Sequence, residues 1–461
     1  MESGVRSSIT QRAGGAGRDA GTTRVTPLYK RLPHGPHRLD RSEVILHQRA
    51  RIHGAMVEAV SECGYEGTSV KQVIGLAGVS RRSFYEQFAN KQESFLATFD
   101  LLVHQAAQRG LRAYEAGTGS LEDRLRGTFR ALDQHTREDP KPARLVLVEA
   151  QTAGVAGALR VCRAMATCEQ MLAKSFAQAP EATPLPTPIV RGIAGGMSGA
   201  LANLIRADAL EQAPDLAEEL LGWTMLYQTP SAAQMAKRMA PQLTRRMREI
   251  SFSSARASSP ASAPDALGQD DAERMLHTVL RLAAMHDYRE LTAPQIAEES
   301  RVSIDEFLEC FTDRDACFLA ALDMVKDDLL AVASSPQLVS GAWPQAVRRT
   351  LRELMDYLAN RPLYARTIAQ EAFFAGGEAV ARDLELARNI TALLTDGAPE
   401  PASHPLAMEG IAGALWHTIR CQVAAGRVQL LGALSDYLTY IVLAPFIGAE
   451  AAIEVVAEEQ P

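Results

Sequence analysis

Aromatic residues make up only 6 % of the 461 residues, and runs of β-branched residues are scarce. Alanine is abundant instead, which favours helices. Among the six cysteines, Cys63, Cys162, Cys168, Cys310, Cys317 and Cys421, no pair has the two-residue spacing of a zinc or redox motif. They read as reduced thiols, mostly in cores, of a cytoplasmic protein. The first 36 residues lack the apolar stretch of a secretory signal. No apolar run reaches the ~18 residues of a membrane span, and the nearest, 440–449, is interrupted by Pro445. His-Glu-x-x-His, a nucleophile elbow, a phosphate loop and paired metal ligands are all missing, so no enzyme, cofactor or metal is expected. The net charge of −7 does not announce a nucleic-acid partner.

What is present centres on 68–95, TSVKQVIGLAGVSRRSFYEQFANKQESF. Ser69 with Gln72 forms a capping box, followed by apolar Val70, Val73, Ile74 and Ala77 on one helical face. Gly78 supplies a turn needing positive φ. Ser80 caps a second helix, whose Phe84 and Phe88 point to the core and whose Arg81, Arg82 and Ser83 lie on the exposed first turn. Asn90 caps a third helix, with Glu93 at the capping-box position. A helix, a tight turn and a second helix with basic residues at its start is how a helix-turn-helix enters the major groove. The stretch resembles the DNA-binding domain of the tetracycline-repressor (TetR) family: a glycine-aromatic turn, a Thr-Ser start, an Ala-Gly-Val-Ser turn, a Phe-Tyr pair, a Phe and a Lys-x-Glu, in register over about thirty residues.

Six domains are expected: a disordered basic arm, 1–37; a helix-turn-helix domain, 38–100; a helical ligand-binding and dimerisation domain, 101–250; a Ser/Ala/Pro-rich linker, 251–270; a degenerate helix-turn-helix domain, 271–325; and a second helical domain, 326–455. The arm carries six Lys or Arg against Glu2 and Asp19. The fold class is all-α, with the whole unit repeated in tandem. At an offset of 223, Tyr65, Val79, Phe84, Phe88 and Phe95 face Tyr288, Val302, Phe307, Phe311 and Phe318. Later, 139–154 faces 361–376, so Arg144 and Glu149 recur as Arg366 and Glu371, and the Gly-Ile-Ala-Gly at 192 recurs at 410.

The second copy keeps the core and loses the surface. Arg81, Arg82 and Ser83 become Ile304, Asp305 and Glu306; Gly78 becomes Arg301 and Tyr85 becomes Leu308. Residues 38–91 carry 8 basic and 6 acidic side chains, a net of +2, whereas 261–314 carry 5 and 12, a net of −7. A surface that acidic is repelled by a polyanion, so the second copy is expected not to bind DNA.

In the first copy, Arg81, Arg82 and Ser83 are expected to read bases, with Arg offering guanine a bidentate match. Tyr85 is assigned to phosphate because the resemblance implies it. Lys91 adds charge at the start of a helix, whose amides favour phosphate. Thr68, Ser69, Lys71 and Ser80 complete the expected DNA-binding set. The resemblance implies a transcriptional regulator, most readily a repressor, with a double-stranded DNA operator, an unidentified small-molecule inducer in an apolar pocket, and pairing through the last two apolar helices of each copy. That pairing is open between a homodimer and a pseudo-dimer within one chain. Trp416, His417 and Tyr437 are pocket candidates. The alternative is an effector-binding or protein-interaction module with little specific DNA binding.

Overall fold

The fold comes from a computed structural model that describes residues 41–229, 271–286, 288–399 and 406–458. The arm, the basic segment 231–250 and the linker lie outside the described residues. Among those described, every regular element is helical, as the alanine-rich, β-poor composition implied.

Helix α1 (Arg41–Gly67) breaks at Gly64, where φ is 70°. Helices α2 (Val70–Ala77), α3 (Arg81–Tyr85) and α4 (Lys91–Ala116) follow. Ser69 and Gln72 close the capping box, Ser80 accepts the Ser83 N–H, and Asn90 accepts the Glu93 N–H. The Glu93 carboxylate turns to the Ala89 N–H rather than to its own cap residue. Gly78 sits at φ 60°, ψ 39°, left-handed geometry that costs a Cβ-bearing residue about 1–2 kcal/mol. Val73, Phe84, Phe88, Phe95 and Phe99 pack on Ile52, Met56 and Val60 of α1, and this core extends to Leu145, Ala150 and Ala153.

Next come α5 (Leu121–Glu138), α6 (Pro140–Leu147), a 3-10 turn (Glu149–Ala153), α7 (Gly154–Gln178), α8 (Thr187–Arg206) and α9 (Leu216–Met225). Helix α6 starts at Pro140. Proline suits the first helical position, where no donor is needed, and Asp139 caps the Lys141 N–H.

The second half contains α10 (Asp271–Met285), α11 (Ala293–Ser300), α12 (Ile304–Cys310), α13 (Arg314–Ala333), α14 (Pro336–Val339), α15 (Trp343–Asn360), α16 (Pro362–Arg366), a π-turn (Thr367–Glu371), α17 (Ala372–Phe374), α18 (Gly377–Thr395), α19 (Ala407–Ala424), α20 (Ser435–Ile447) and α21 (Ala449–Ala457). Arg301, between α11 and α12, adopts φ 60°, ψ 39°, the values of Gly78. Ser303 caps α12 with Glu306 as capping-box partner, and Asp313 caps α13.

Helices α8 and α19 cross on glycine. A Cβ added to Gly199 would lie 2.7 Å from the Gly413 Cα, and one on Gly413 would lie 2.6 Å from the Gly195 carbonyl oxygen. The contacts come in reciprocal pairs. Gly195 meets His417 while Gly413 meets Gly199, and Gly192 meets Ile441 while Gly410 meets Trp223. Each pair maps onto the other by one shift of 218 residues: 195 to 413, 199 to 417, 192 to 410, 223 to 441. Such reciprocity is what a two-fold axis produces. Trp223 donates to the Ile193 carbonyl at 3.2 Å, and Tyr227 donates to the Ile441 carbonyl at 3.2 Å. The small-residue stripe thus joins two halves of one chain.

Two sequence expectations change. The stretch Val428–Ile447 has the length and composition of a membrane span, but 78 % of its apolar window is buried inside the fold. Two 3-10 turns fused to a helix containing Pro445 hid it from a search for unbroken runs. Of the six cysteines only Cys317 is buried; Cys63, Cys168 and Cys310 are exposed, and all six are free thiols.

Candidate nucleic-acid interface and the cleft behind it

The short helix α3 stands on Phe84, which is fully buried, and so presents its other faces outward. Arg81 is exposed, with its guanidinium 5.7 Å from the centre of the Tyr85 ring. Arg82 is 88 % exposed and pairs with Glu86 at 2.8 Å. An exposed i, i+4 pair of this kind is worth about 0.3–0.5 kcal/mol, so Arg82 remains free to exchange partners. The Ser83 and Ser80 hydroxyls lie 2.8 Å apart. Tyr85 is 44 % exposed, and Lys71 is exposed on α2. The Ser69 hydroxyl donates to Gln72 within the cap.

Two expected contacts are placed differently. Thr68 is buried at 3 %, and its hydroxyl donates to the Gly64 carbonyl at 2.7 Å. It closes the break after α1 rather than facing outward. The Lys91 ammonium donates to the Tyr65 carbonyl at 2.9 Å and the Glu66 carbonyl at 3.4 Å, and sits 4.3 Å from the Tyr65 ring centre. An ammonium has three donors, and two are occupied by backbone.

The second half repeats that last arrangement 223 residues later. Arg314 donates to the Tyr288 carbonyl at 3.1 Å and the Leu291 carbonyl at 3.0 Å, 4.6 Å from the Tyr288 ring centre. Helix α12 exposes Ile304 (39 %) and Leu308 (52 %) beside Asp305 and Glu306. The basic face of α3 has an acidic and apolar counterpart on α12.

The first helix-turn-helix is anchored to α6 and the segment after it. Glu149 accepts the Tyr65 N–H at 3.0 Å, Gln92 donates to the Ala153 carbonyl at 2.8 Å, and Lys141 pairs with Glu58. Glu149 also faces Arg144 at 3.7 Å, as Glu371 faces Arg366 at 2.8 Å. The same segment borders a small, partly open cleft between the halves, lined by Val155, Leu159 and Cys162 from α7, and by Phe373, His417 and Arg420. Behind it lies a buried polar group. His417 Nε2 is 2.9 Å from Glu169 Oε1, and Arg191 Nε is 3.3 Å from both Glu169 oxygens. Burial opposes the Glu169 charge, but the His417 hydrogen bond and Arg191 hold its carboxyl below the usual range. Asp383, fully buried beneath Trp416, is pushed up to about 6 by burial. Trp416 lines a smaller apolar cavity with Leu351 and Ile390. Tyr437 is core.

Sequence reading missed the meeting of Glu169, His417 and Cys421, whose ligand atoms lie within 4.8 Å of one another. His417 and Cys421, four apart on one helix, were a visible signal. Glu169 arrives from the other half, and nothing local marks it.

Residues 54–98 match the family model described as bacterial regulatory proteins, tetR family. Among solved structures, the chain is similar to the fatty acid degradation regulator FadR from Bacillus halodurans, with 18 % identity over 38 % of this chain and 95 % of that one, at a TM-score of 0.35. It is also similar to the transcriptional regulator FadR from Bacillus subtilis in complex with stearoyl-CoA, with 17 % identity over 38 % and 95 %, at a TM-score of 0.34. A third likeness is to a TetR family transcription regulator from Marinobacter aquaeolei VT8, with 20 % identity over 40 % and 96 %, at a TM-score of 0.31. No curated protein matches the chain.

Proposed function

We propose that this chain is a sequence-specific DNA-binding transcriptional regulator, a repressor released by a small apolar ligand. In this reading it is a tandem of two regulator units paired within one polypeptide, with a single DNA-reading head. One contrast carries it. The turn angles of Gly78 and Arg301 agree, and Lys91 and Arg314 make the same contact, yet Arg81 and Arg82 on one head stand where Ile304 and Asp305 stand on the other. Arg81, Arg82 and Ser83 read base edges, Tyr85 and Lys71 touch phosphates, and Ser69 and Ser80 hold the helix starts that frame the surface. Lys91 contributes its charge. The cleft between the halves takes the ligand, and the Glu149–Ala153 turn links cleft to head.

The paired halves give a prediction about the operator. A homodimer reads a palindrome because its symmetry is two-fold. A pseudo-dimer with one basic head reads a single half-site. Selection of bound sequences from a random pool, with the complex mass measured by light scattering, tests this. One chain on one asymmetric site is expected. A palindromic consensus bound by two chains would overturn the single-head reading. Arg82→Ala should relax base preference at one position, by about 1–3 kcal/mol of lost discrimination. No salt-dependent binding to the DNA upstream of its own gene would instead favour an interaction module, with Ile304 and Leu308 as the exposed docking pair.

A further inference from the structure

We propose that the cleft between the halves takes a carboxylate-bearing amphiphile, whose anionic head docks on Arg420 and whose apolar body lies over Val155, Leu159 and Phe373. This deepens the reading of that cleft as the ligand site and rests on it, but not on the DNA-reading surface.

The carrying observation is a set of polar side chains without partners. Arg420 on α19, Gln151 on the turn after α6 and Gln370 on the π-turn all line the cleft. None of the three makes a hydrogen bond or an ion pair among the described residues. An arginine brings five donors and a glutamine amide two. Polar groups inside a fold are normally paired, yet these three, each half-buried, share one opening. The Arg420 guanidinium lies 5.6 Å from the centre of the Phe373 ring. A guanidinium over a ring keeps the donors of its fork in its own plane, available to a ligand.

The charge of the ligand follows from what surrounds Arg420. Arg191 is committed to Glu169 at 3.3 Å, and His417 faces the same carboxylate at 2.9 Å. The field of Asp383 favours the Arg420 charge, but the Asp383 carboxylate turns to the Trp416 N–H at 3.0 Å and forms no ion pair. Arg206, half-buried at the end of α8, is held below its ordinary value by burial and by Arg144, Arg388 and Arg420, against Glu149. Arg420 is therefore the cation of the cleft wall that lacks a direct counter-charge. A neutral ligand covering it would strip water without replacing the lost hydrogen bonds. A carboxylate replaces them with a bidentate, charge-assisted pair. With one free guanidinium, the match is a singly charged carboxylate rather than a phosphate dianion.

The body of the ligand follows from the other wall. Val155 and Leu159 are exposed on α7, four residues apart on one helical face. The cleft is small and partly open, which suits a short chain or a single ring. Under the 218-residue shift Arg420 stands where Ala202 stands on α8, so the other half offers no such cation and one ligand per chain is expected.

The test is calorimetric titration of the full chain with benzoate, 4-phenylbutanoate and octanoate, and with the neutral amide of each. Expected is binding at one site per chain, with at least one acid favoured over its amide by about 10- to 100-fold, the range of one charge-assisted hydrogen bond. Arg420→Met keeps the apolar stem and should reduce that acid to the affinity of its amide, leaving the amide unchanged. Arg420→Lys should restore part of the preference, as a point charge without the fork. If Arg420→Met does not fold, the wild-type chain still decides, because each acid and amide differ in the charge of the head group. If no acid and no amide binds, the cleft is not a ligand site, and this inference falls together with that reading. If acids and amides bind alike, or Arg420→Met leaves the advantage of the acid intact, the ligand site stands and the carboxylate assignment is overturned.

Discussion

Replacing Lys91 by methionine separates a structural role from a DNA-binding one. Methionine keeps the apolar stem and removes the charge. What is lost is a bond of 2.9 Å to the Tyr65 carbonyl, a longer one to Glu66, and the approach to the Tyr65 ring. A hydrogen bond from a charged donor contributes about 1.5–3 kcal/mol, and an ammonium over an exposed ring about 0.5–1 kcal/mol. Lys91 is only half-buried, so the lower ends apply, and a loss of about 2 kcal/mol in the local stability of α1–α4 is expected. Arg314→Met should cost its own head a similar amount, because it makes two carbonyl bonds and the same ring contact. Native-state hydrogen exchange of the two heads measures both. DNA binding supplies the second readout. Each phosphate neutralised contributes about 0.9 to the slope of log K against log salt. Lys71→Ala should lower that slope by about 0.9 with stability intact, Lys91→Met by clearly less than that, and Arg314→Met not at all. If Lys91→Met lowered the slope by a full ~0.9 and left exchange unchanged, its bonds to Tyr65 and Glu66 would have no energetic weight, and the reasoning would fail.

Three further outcomes follow from the geometry. Arg301 holds a left-handed conformation without being glycine, so Arg301→Gly should stabilise the second head by up to about 1 kcal/mol and Gly78→Ala should destabilise the first by at least as much, both read by thermal unfolding. His53, buried against Thr98 and Phe88, is lowered to about 4 by burial and by Arg49; because the unfolded chain takes up its proton near 6.5 and the fold refuses it until about 4, stability is fully present above about 6.5 and drains away as pH falls to about 4, by up to about 3 kcal/mol, and His53→Leu should flatten that dependence in urea titrations across this range. Gly413→Ala drives a Cβ to 2.6 Å from the Gly195 carbonyl, an overpacking that costs about 1–3 kcal/mol and should lower the melting temperature, whereas Gly377→Ala, with nothing within 4 Å, should change stability by less than about 0.5 kcal/mol.

The helix-turn-helix was legible because its determinants are short-range. A cap and its box partner are three residues apart, and a turn glycine needs only its own φ. The roles of Thr68 and Lys91 were not, for a common reason. Both were read as outward because polar groups at helix starts usually are. Each instead donates to carbonyls at the end of α1, beside its break at Gly64: Thr68 to that of Gly64, and Lys91 to those of Tyr65 and Glu66. Where a broken helix sends its last carbonyls is a three-dimensional fact. The repeat did hold a clue, since a cation recurs at position 314 although α12 beside it is acidic. A cation that recurs beside an acidic helix, holding the same kind of carbonyl, serves the fold.

The glycine stripe was legible as a close-packing surface but not in its partner, because periodicity shows which face is small and not what it meets. The partner decides the logic of the molecule. In a homodimer every substitution on a surface appears twice, so an acidic change on one subunit is an acidic change on both. With α8 packed on α19 of the same chain, the two heads vary independently. Asp305 and Glu306 can accumulate on α12 while Arg81 and Arg82 remain on α3. The same asymmetry reaches the cleft. A symmetric dimer would offer two equivalent sites, but here Gly199 on α8 stands where His417 stands on α19 under the 218-residue shift. The imidazole that meets Glu169 therefore has no twin, and a ligand bound there would act on one side of the pseudo-axis alone.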